Sequence, residues 1–159
     1  GRQTLFGTDF IVPEQPWQIK LFGWDSAYLP QTGYDSFANL FHTSPRTTLQ
    51  SPALDEVWWA APAPHLPADS FATEALNTIT LQGGRYSVEI TADDYARVYV
   101  DDKLVIDAWD NRYIDQDEQT HHRASIALSP GAHSFRVLHA EVTGLATLQF
   151  YLRKEAGNP

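Results

Sequence analysis

Cysteine is absent from the chain, which excludes disulfide bonds, thiol catalysis and thiolate metal sites. Long apolar runs are also absent, because no stretch approaches the roughly 18 consecutive apolar residues of a membrane-spanning helix. Basic residues are scarce: 11 Lys and Arg stand against 20 Asp and Glu, so the formal net charge is −9. Since nucleic acids and anionic membranes are bound through basic patches, we expect neither nucleic-acid binding nor membrane insertion.

Enzyme motifs are missing as well. The sequence contains no nucleophile elbow, no phosphate-binding loop and no His-Glu-x-x-His metal motif. Paired carboxylates could in principle hydrolyse a glycoside, but nothing in the sequence singles out a carboxylic acid as the proton donor. We therefore expect a protein without catalytic activity.

The residues that are present favour β-structure in a single domain. The 159 residues suit one domain, and 43% of them are hydrophobic, which argues against disorder. Five Trp, seven Tyr and eight Phe suit a β-rich core or a stacking surface. The chain begins with Gly-Arg, so we expect residues 1–159 to be one domain taken from a larger protein.

Apolar and polar residues alternate through most of the chain after residue 76. This period of two predicts half-buried strands at 86–90, 98–100, 104–106, 124–128, 135–139 and 148–152. Turn-forming pairs such as Gly83-Gly84 and Pro130-Gly131 separate the runs. Short strands at this spacing, without a βαβ rhythm, predict an all-β antiparallel sandwich or barrel.

The N-terminal half is less regular. Residues 17–22 alternate as a strand would, and residues 32–41 could form a turn and a short helix. Eight of the ten prolines fall within residues 1–67, and residues 44–70 are especially rich in them. That density excludes a helix or a central strand, so we predict a long proline-rich loop.

Two segments carry a resemblance to a known family: "GGRYSVEITADDYARVYVDDKLVIDAW" (83–109) and "SPGAHSFRVLHAEVTGLATLQFYL" (129–152). A Gly-Tyr strand, an Asp-Asp pair, a hairpin and a Pro-Gly-x-His turn follow one another as in the protective-antigen-type (PA-fourteen) domain family. The chain resembles this family over residues 76–153, and residues 1–75 are interpreted as its variable N-terminal part.

The resemblance implies a β-sandwich carried in secreted or surface proteins such as toxins, glycosidases, proteases and adhesins. Related fungal flocculin and epithelial adhesin lectin domains hold a calcium ion with an adjacent Asp pair, and the ion binds sugar hydroxyls. By that resemblance the metal ligands are Asp93, Asp94 and Glu141, with the carbonyls of residues 142–144. The disulfides of fungal members are absent, which favours a bacterial-type extracellular or cell-surface protein.

The two Asp-Asp pairs have different interpretations. Consecutive strand residues point to opposite faces, so Asp93 and Asp94 reach one ion only if the backbone turns or their peptide is cis. Otherwise they form a strand-end turn whose side chains bond nearby amides. Asp101 and Asp102 are predicted to be the tip of a hairpin.

Four aromatic or histidine positions have simple structural interpretations. Trp109 could stack on a sugar, but we predict that it caps the core. His139 occupies an alternating core position, which predicts a buried, hydrogen-bonded histidine. His121 and His122 would face opposite sides of a strand and are poor joint metal ligands.

We predict a non-catalytic, lectin-like module that is calcium-dependent and whose partners are glycans and other domains of its parent chain. The predicted sugar-binding residues are Asp93, Asp94, Arg97, Asp110 and Asn111. The alternative is a structural or protein-interaction spacer in a larger extracellular enzyme, adhesin or toxin.

Overall fold

The computed structural model describes residues 2–5, 8–11, 13–24, 30, 33–58, 71–93, 95–109, 116–118, 121–141 and 146–155. Within them the strands are β1 Arg2–Leu5, β2 Thr8–Ile11, β3 Trp17–Gly23, β4 Thr47–Ser51, β5 Asp55–Trp58, β6 Phe71–Leu81, β7 Gly84–Asp93, β8 Tyr95–Val100, β9 Lys103–Ala108, β10 Gln116–Glu118, β11 His121–Leu128, β12 Gly131–Glu141 and β13 Ala146–Lys154. A one-turn helix, α1 (Tyr34–Phe37), continues into a 3₁₀ helix, Ala38–His42.

The described strands form two antiparallel sheets. Sheet A has the order β1-β2-β13-β7-β11-β10, with β5 also paired to β13, and sheet B has the order β4-β3-β6-β12-β8-β9. The alternating runs after residue 76 coincide with β7, β8, β9, β11, β12 and β13. The predicted all-β antiparallel sandwich is therefore confirmed, as are the strand at 17–22 and the short helix within 32–41.

The main hydrophobic core lies between the two sheets. Across it, the ring of Phe150 in sheet A meets Trp17 and Phe135 of sheet B edge to face, with centroids 5.2 and 5.9 Å apart. His139 is fully buried on the same face of β12 as Phe135, and its Nδ1 lies 3.2 Å from Thr73 Oγ1. The predicted buried, hydrogen-bonded histidine is confirmed.

A second hydrophobic cluster lies on the opposite face of sheet B. Phe22 and Leu138 occupy strand positions between the core residues and belong to this cluster together with Phe41 of the 3₁₀ helix. We call residues 34–42 the helical cover, because its buried aromatic side chains close this face. Covered on both sides, β6 is buried without interruption over residues 71–75.

Two short strands interrupt the predicted proline-rich loop. Among the described strands, β4 pairs with β3 alone and β5 pairs with β13 alone, so each lies at the margin of its sheet. A margin is where a proline-rich segment can still form a strand, because proline cannot donate to a ladder on both sides. Residues 59–70 lie outside the described residues, and the loop predicted there stays a prediction.

The Asp101-Asp102 pair is a hairpin tip, as predicted. Val100 pairs with Lys103, so only two residues connect β8 and β9. Both aspartates have positive φ, 51° and 66°, which is the geometry of a type I′ turn. Aspartate tolerates this left-handed conformation better than most residues.

A histidine joins this hairpin tip to the turn before β12. His133 Nδ1 lies 2.6 Å from Asp101 Oδ2, and His133 Nε2 lies 2.7 Å from the carbonyl oxygen of Ser129. An ionised carboxylate and a carbonyl both accept hydrogen bonds, so the ring satisfies both partners when each of its nitrogens carries a proton. The other Asp101 oxygen accepts a hydrogen bond from the Ser134 N–H at 2.9 Å.

This contact makes stability depend on pH. The hydrogen bond to Asp101 raises the pKa of His133 above its ordinary 6.5, and the hydrogen bond from His133 lowers the pKa of Asp101 below its ordinary 3.8. The histidine's contribution is complete below pH 6.5 and is lost as pH rises through its folded pKa. The aspartate's contribution is present above pH 3.8 and is lost as pH falls through its folded pKa. We therefore expect the Tm difference between wild type and His133→Gln to be widest near about pH 5 and to shrink towards about pH 9.

Thermal melts at several pH values measure this difference. His42→Gln is the matched control, because His42 is exposed and has no bonded carboxylate among the described residues. The control difference should stay flat across the same range. A His133→Gln difference that is equally wide in acid and in alkali would contradict the assignment.

Candidate functional site

Two of the connections between the sheets at one end of the sandwich carry predicted metal ligands. β7 of sheet A ends at Asp93 and β8 of sheet B begins at Tyr95, so the chain changes sheet at residue 94. β12 of sheet B ends at Glu141 and β13 of sheet A begins at Ala146, so the chain changes back within residues 142–145. We call this region the crossover end.

Strand pairing brings the two connections next to each other. In sheet A, Asp93 is paired with Thr147 at the start of β13. In sheet B, Tyr95 is paired with Ala140 near the end of β12. Because both ladders reach the crossover end, the ends of residues 93–95 and 141–146 lie side by side.

The segment carrying two predicted sugar-binding residues begins at the same end. Ala108, the last residue of β9, is paired with Ala96, the second residue of β8. Trp109 follows directly and leads into Asp110 and Asn111. The register thus brings the start of this segment close to the two sheet crossovers.

Several predicted site residues lie outside the described residues: Asp94, Asp110, Asn111 and the carbonyls of residues 142–144. The side chain of Asp93 is also not described, although its backbone is the last residue of β7. Their predicted contacts with calcium and sugar stay predictions, as does the geometry of the 93–94 peptide.

Glu141 is the predicted ligand whose side chain the structure describes. It is fully buried, with 0% of its surface exposed. A carboxylate removed from water needs hydrogen-bond donors, a cation or a proton to offset the loss of hydration. Calcium takes six to eight oxygen ligands, and the predicted set consists of carboxylate and carbonyl oxygens throughout. The residue types at the crossover end therefore fit a calcium ion.

Arg97 lies on the outer face of sheet B, two residues after Tyr95, which begins β8 at the crossover end. Its Nε and Nη2 donate to the two carboxylate oxygens of Asp107 at 3.2 and 3.3 Å. Its Nη1 donates to the Tyr99 hydroxyl at 3.1 Å, and its Cζ lies 3.9 Å from the centre of the Tyr34 ring. Arg97 thus fastens the helical cover to the sheet, and its predicted contact with sugar stays a prediction.

The surroundings of Tyr34 show how closely the helical cover is packed there. Burial raises the pKa of the Tyr34 hydroxyl well above its ordinary value, and a hydrogen bond with Tyr99 raises it further. Asp107 connects the same network to the next segment, because its Oδ1 accepts a hydrogen bond from the Trp109 N–H at 3.0 Å. The network therefore holds Trp109, the last described residue before Asp110 and Asn111, against sheet B.

Trp109 caps the second cluster, which confirms the structural interpretation. Only 3% of the residue is exposed, and its indole N–H donates to the Pro30 carbonyl at 2.9 Å. Its ring contacts Tyr34 and Phe37 of the helical cover and Tyr95 of β8, with centroids 5.1–5.5 Å apart. A buried tryptophan in this setting has no free face for stacking on a sugar.

Two absences hold for the described residues only. Within those ranges, no three His, Asp or Glu side chains come close enough together to hold a metal ion. The predicted calcium site is not covered by that finding, because Asp94 and residues 142–145 are outside the ranges. No helix in the described part of the chain is long and apolar enough to cross a membrane.

Comparison with protein families gives a match over most of the chain. The model described as the PA14 domain matches residues 31–158. The chain belongs to the PA14 domain family. This is the protective-antigen-type family to which the sequence motifs pointed, so that prediction is confirmed. A search of curated proteins found no match to this PA14 domain.

Solved structures share the fold at low sequence identity. The PA14 sugar-binding domain from an RTX adhesin has a TM-score of 0.68 at 15% identity, over 91% of this chain and 92% of that chain. The epithelial adhesin 6 A domain from Candida glabrata, in complex with Galb1-3GlcNAc, has a TM-score of 0.57 at 11% identity, over 94% and 84%. An anti-sigma factor domain-containing protein from Clostridium clariflavum has a TM-score of 0.67 at 17% identity over 91% of this chain, and this PA14 domain spans only 45% of that chain.

Proposed function

We propose that this PA14 domain is a non-catalytic carbohydrate-binding module whose activity depends on calcium. The observation that carries the proposal is the adjacency of the two sheet crossovers, at residues 93–95 and 141–146. Family membership supports it, as do similar folds in proteins described as a sugar-binding adhesin domain and as an adhesin in complex with a disaccharide.

The carboxylates of Asp93, Asp94 and Glu141 would hold the ion, together with the carbonyls of residues 142–144. A bound calcium ion supplies open coordination positions for vicinal sugar hydroxyls. Asp110 and Asn111 would accept and donate hydrogen bonds to other hydroxyls of the same sugar. Arg97 would help to select the sugar through its guanidinium group, which also bonds to Asp107 and Tyr99.

A site at the tips of several connections is shallow, so the affinity of one module would be weak. Several modules in one parent protein or on one surface would raise the overall affinity through multivalency. We accordingly propose an extracellular or cell-surface location within a larger protein. The PA14 domain spans under half of one structural neighbour, which supports this multidomain arrangement.

Calcium titration tests the proposal. A ligand that binds only the folded state at about a hundredfold over its Kd should raise Tm by roughly 5–10 °C in a domain of this size. The double variant Asp93→Ala/Asp94→Ala should lose this shift and the calcium-dependent binding of glycans in calorimetry. Asp102→Asn is the matched control for the Tm shift, because it alters the second Asp-Asp pair at the hairpin tip and should leave the calcium-induced rise in Tm unchanged.

The same experiment distinguishes the alternative function. A spacer that only orients neighbouring domains would show no rise in Tm with calcium and no glycan binding that a chelator abolishes. Either result in the wild-type domain would contradict the calcium-dependent lectin. Hydrolysis of glycosides in the presence of chelator would contradict the non-catalytic assignment.

A further inference from the structure

The outer face of sheet B is divided into a covered half and an open half. Near the crossover end, the helical cover lies over Phe22 and Leu138. The row of Leu138 is also the charged row, in which Glu74 lies 3.7 Å from Lys20 Nζ, and Glu74 lies 2.7 Å from Nε of Arg136 in the adjoining row. Beyond this row the face is open.

The open half forms a groove of about 690 Å³. We call it the outer groove, and the residues that define its chemistry are Gln18, Gln50, Leu76, Thr78, Ser134 and Arg136. Its volume lies within the roughly 300–1,000 Å³ of small-molecule sites. It is therefore large enough for several sugar rings or a short peptide.

Strand register arranges the groove in two rows. Gln50 is paired with Gln18, Gln18 with Leu76, and Leu76 with Arg136, which gives one row across four strands. Thr78 is paired with Ser134 in the next row of the same face. Directly paired residues project from the same face of a sheet, about 5 Å apart at Cβ. Two amides, two hydroxyls and a leucine thus stand together in fixed positions.

The polar side chains of the groove are open to a ligand. Within the described part of the chain, the side chains of Gln18, Gln50, Thr78 and Ser134 have no hydrogen-bond partner. Asn77 beside them is occupied, since its amide donates to the Gln15 carbonyl at 3.0 Å and accepts from the Thr78 N–H at 2.8 Å. The groove therefore offers amide and hydroxyl groups around the apolar floor made by Leu76.

Charge and backbone pairing restrict the class of ligand. Arg136 forms an ion pair with Glu74, and Asp102 is the acidic residue of the lining. The groove is therefore close to neutral in a chain of net charge −9. The strands β3, β6 and β12 under the groove are paired on both sides, so among the described strands a peptide strand could add only at the outer edge of β4, beside the groove and not within it. Recognition within the groove uses side-chain amides, hydroxyls and an apolar patch, and these complement the hydroxyls and C–H faces of a neutral sugar.

We propose that the outer groove is a second carbohydrate site, which binds neutral oligosaccharides without a metal ion. It goes beyond the calcium-dependent function, because its residues lie on the open half of sheet B rather than at the crossover end. The helical cover and the charged row separate the two sites. A domain with both sites would hold one long glycan, or two glycans, at two points.

The experiment is an NMR titration of the whole domain in EDTA, with maltopentaose, cellopentaose, mannopentaose and a linear galactan oligosaccharide as probes. At least one probe should shift the side-chain amide signals of Gln18 and Gln50. Gln18→Ala/Gln50→Ala should weaken that binding about tenfold, the loss expected for two hydrogen bonds. Thr78→Trp, at an exposed strand position, should fill the groove and abolish binding.

Two controls separate this site from the calcium site. Asn39→Ala removes an exposed amide from the 3₁₀ helix, outside the groove, and should change nothing. Asp93→Ala/Asp94→Ala should leave the binding in EDTA intact, even if it abolishes calcium-dependent binding. The proposal is overturned if no probe shifts the groove amides in EDTA, if the Thr78→Trp variant binds as wild type does, or if a polar peptide shifts these amides and no oligosaccharide does.

Discussion

Replacing Trp109 with alanine is expected to lower the free energy of unfolding by about 3–5 kcal/mol. The residue is 3% exposed and its ring contacts both the helical cover and β8, so truncation leaves a cavity between them. It also leaves the Pro30 carbonyl without its hydrogen bond from the indole. Urea denaturation of wild type and variant, followed by fluorescence and circular dichroism, measures the difference.

Two companion variants make the Trp109 result specific. Trp109→Phe keeps most of the ring contacts and loses the indole donor, so its loss should be well below that of alanine. Tyr151→Ala removes an aromatic ring that is 37% exposed on sheet A, and should lower stability by less than about 1 kcal/mol. Hydrogen exchange should also rise in residues 34–42 of Trp109→Ala before it rises in β7. A loss of under 1 kcal/mol for Trp109→Ala would contradict the role of this residue as the cap of the second cluster.

Replacing Arg97 with alanine is expected to lower the free energy of unfolding by about 2–3 kcal/mol. The Arg97 and Asp107 side chains are only 12% and 13% exposed, so the variant leaves a largely buried carboxylate without its cation. It also removes the guanidinium from the Tyr34 ring and from the Tyr99 hydroxyl. Arg97→Lys keeps the charge but cannot make the paired hydrogen bonds to both oxygens of Asp107, so an intermediate loss is expected.

Arg85→Ala is the matched control for Arg97. Arg85 is exposed and donates one hydrogen bond of 3.3 Å to Ser125, so its removal should change stability by no more than about 0.5 kcal/mol. Equal stability of Arg97→Ala and Arg85→Ala would refute the structural role. Comparing glycan binding by Arg97→Lys with its stability then separates a contact with sugar from the fastening of the helical cover.

The strands could be predicted because one face of each strand packs in the core and the other is more polar. In β7, Tyr86, Val88 and Ile90 are buried, with the polar Ser87 and Glu89 between them, and the period of two follows directly. The helical cover of sheet B could not be predicted in the same way. Alternation indicates which face is buried, but the uninterrupted burial of residues 137–141 arises from a layer far away in the sequence.

The Arg97–Asp107 pair illustrates a second limit. From a two-residue hairpin loop at 101–102, simple counting would put Ile106 opposite Arg97. A register shift between Val98 and Tyr99 instead brings Asp107 opposite Arg97. Such an irregularity depends on packing on both faces of the hairpin and leaves no distinct pattern in the sequence.

The candidate site was accessible from the sequence only through family resemblance. Composition alone gives no reason to associate Asp93 with Glu141, because the ends of β7 and β12 come to one end of the sandwich only through the pairing of β7 with β13 and of β8 with β12. The sequence shows the Pro-Gly-x-His turn only as a family motif. The structure shows its role, because His133 contacts both Asp101 and the Ser129 carbonyl. The outer groove could not be predicted, because Gln50 belongs to β4, which lies inside the segment predicted to be a loop, and because the sequence does not show that β3 pairs with β4 and β6.

The pairing of β6 with β12 along all 11 residues of each strand bears on how fast the chain can fold. These strands are neighbours in sheet B, yet β7 to β11 lie between them in the chain. The central strand pair of sheet B cannot form from a local hairpin. A large loop must close first, and this closure costs chain entropy. Topologies dominated by such distant pairings fold in milliseconds to seconds. Until that closure, the apolar faces of β6 and β12 are exposed and can pair with other strands, so a nascent domain is most prone to aggregation before β12 has been synthesised.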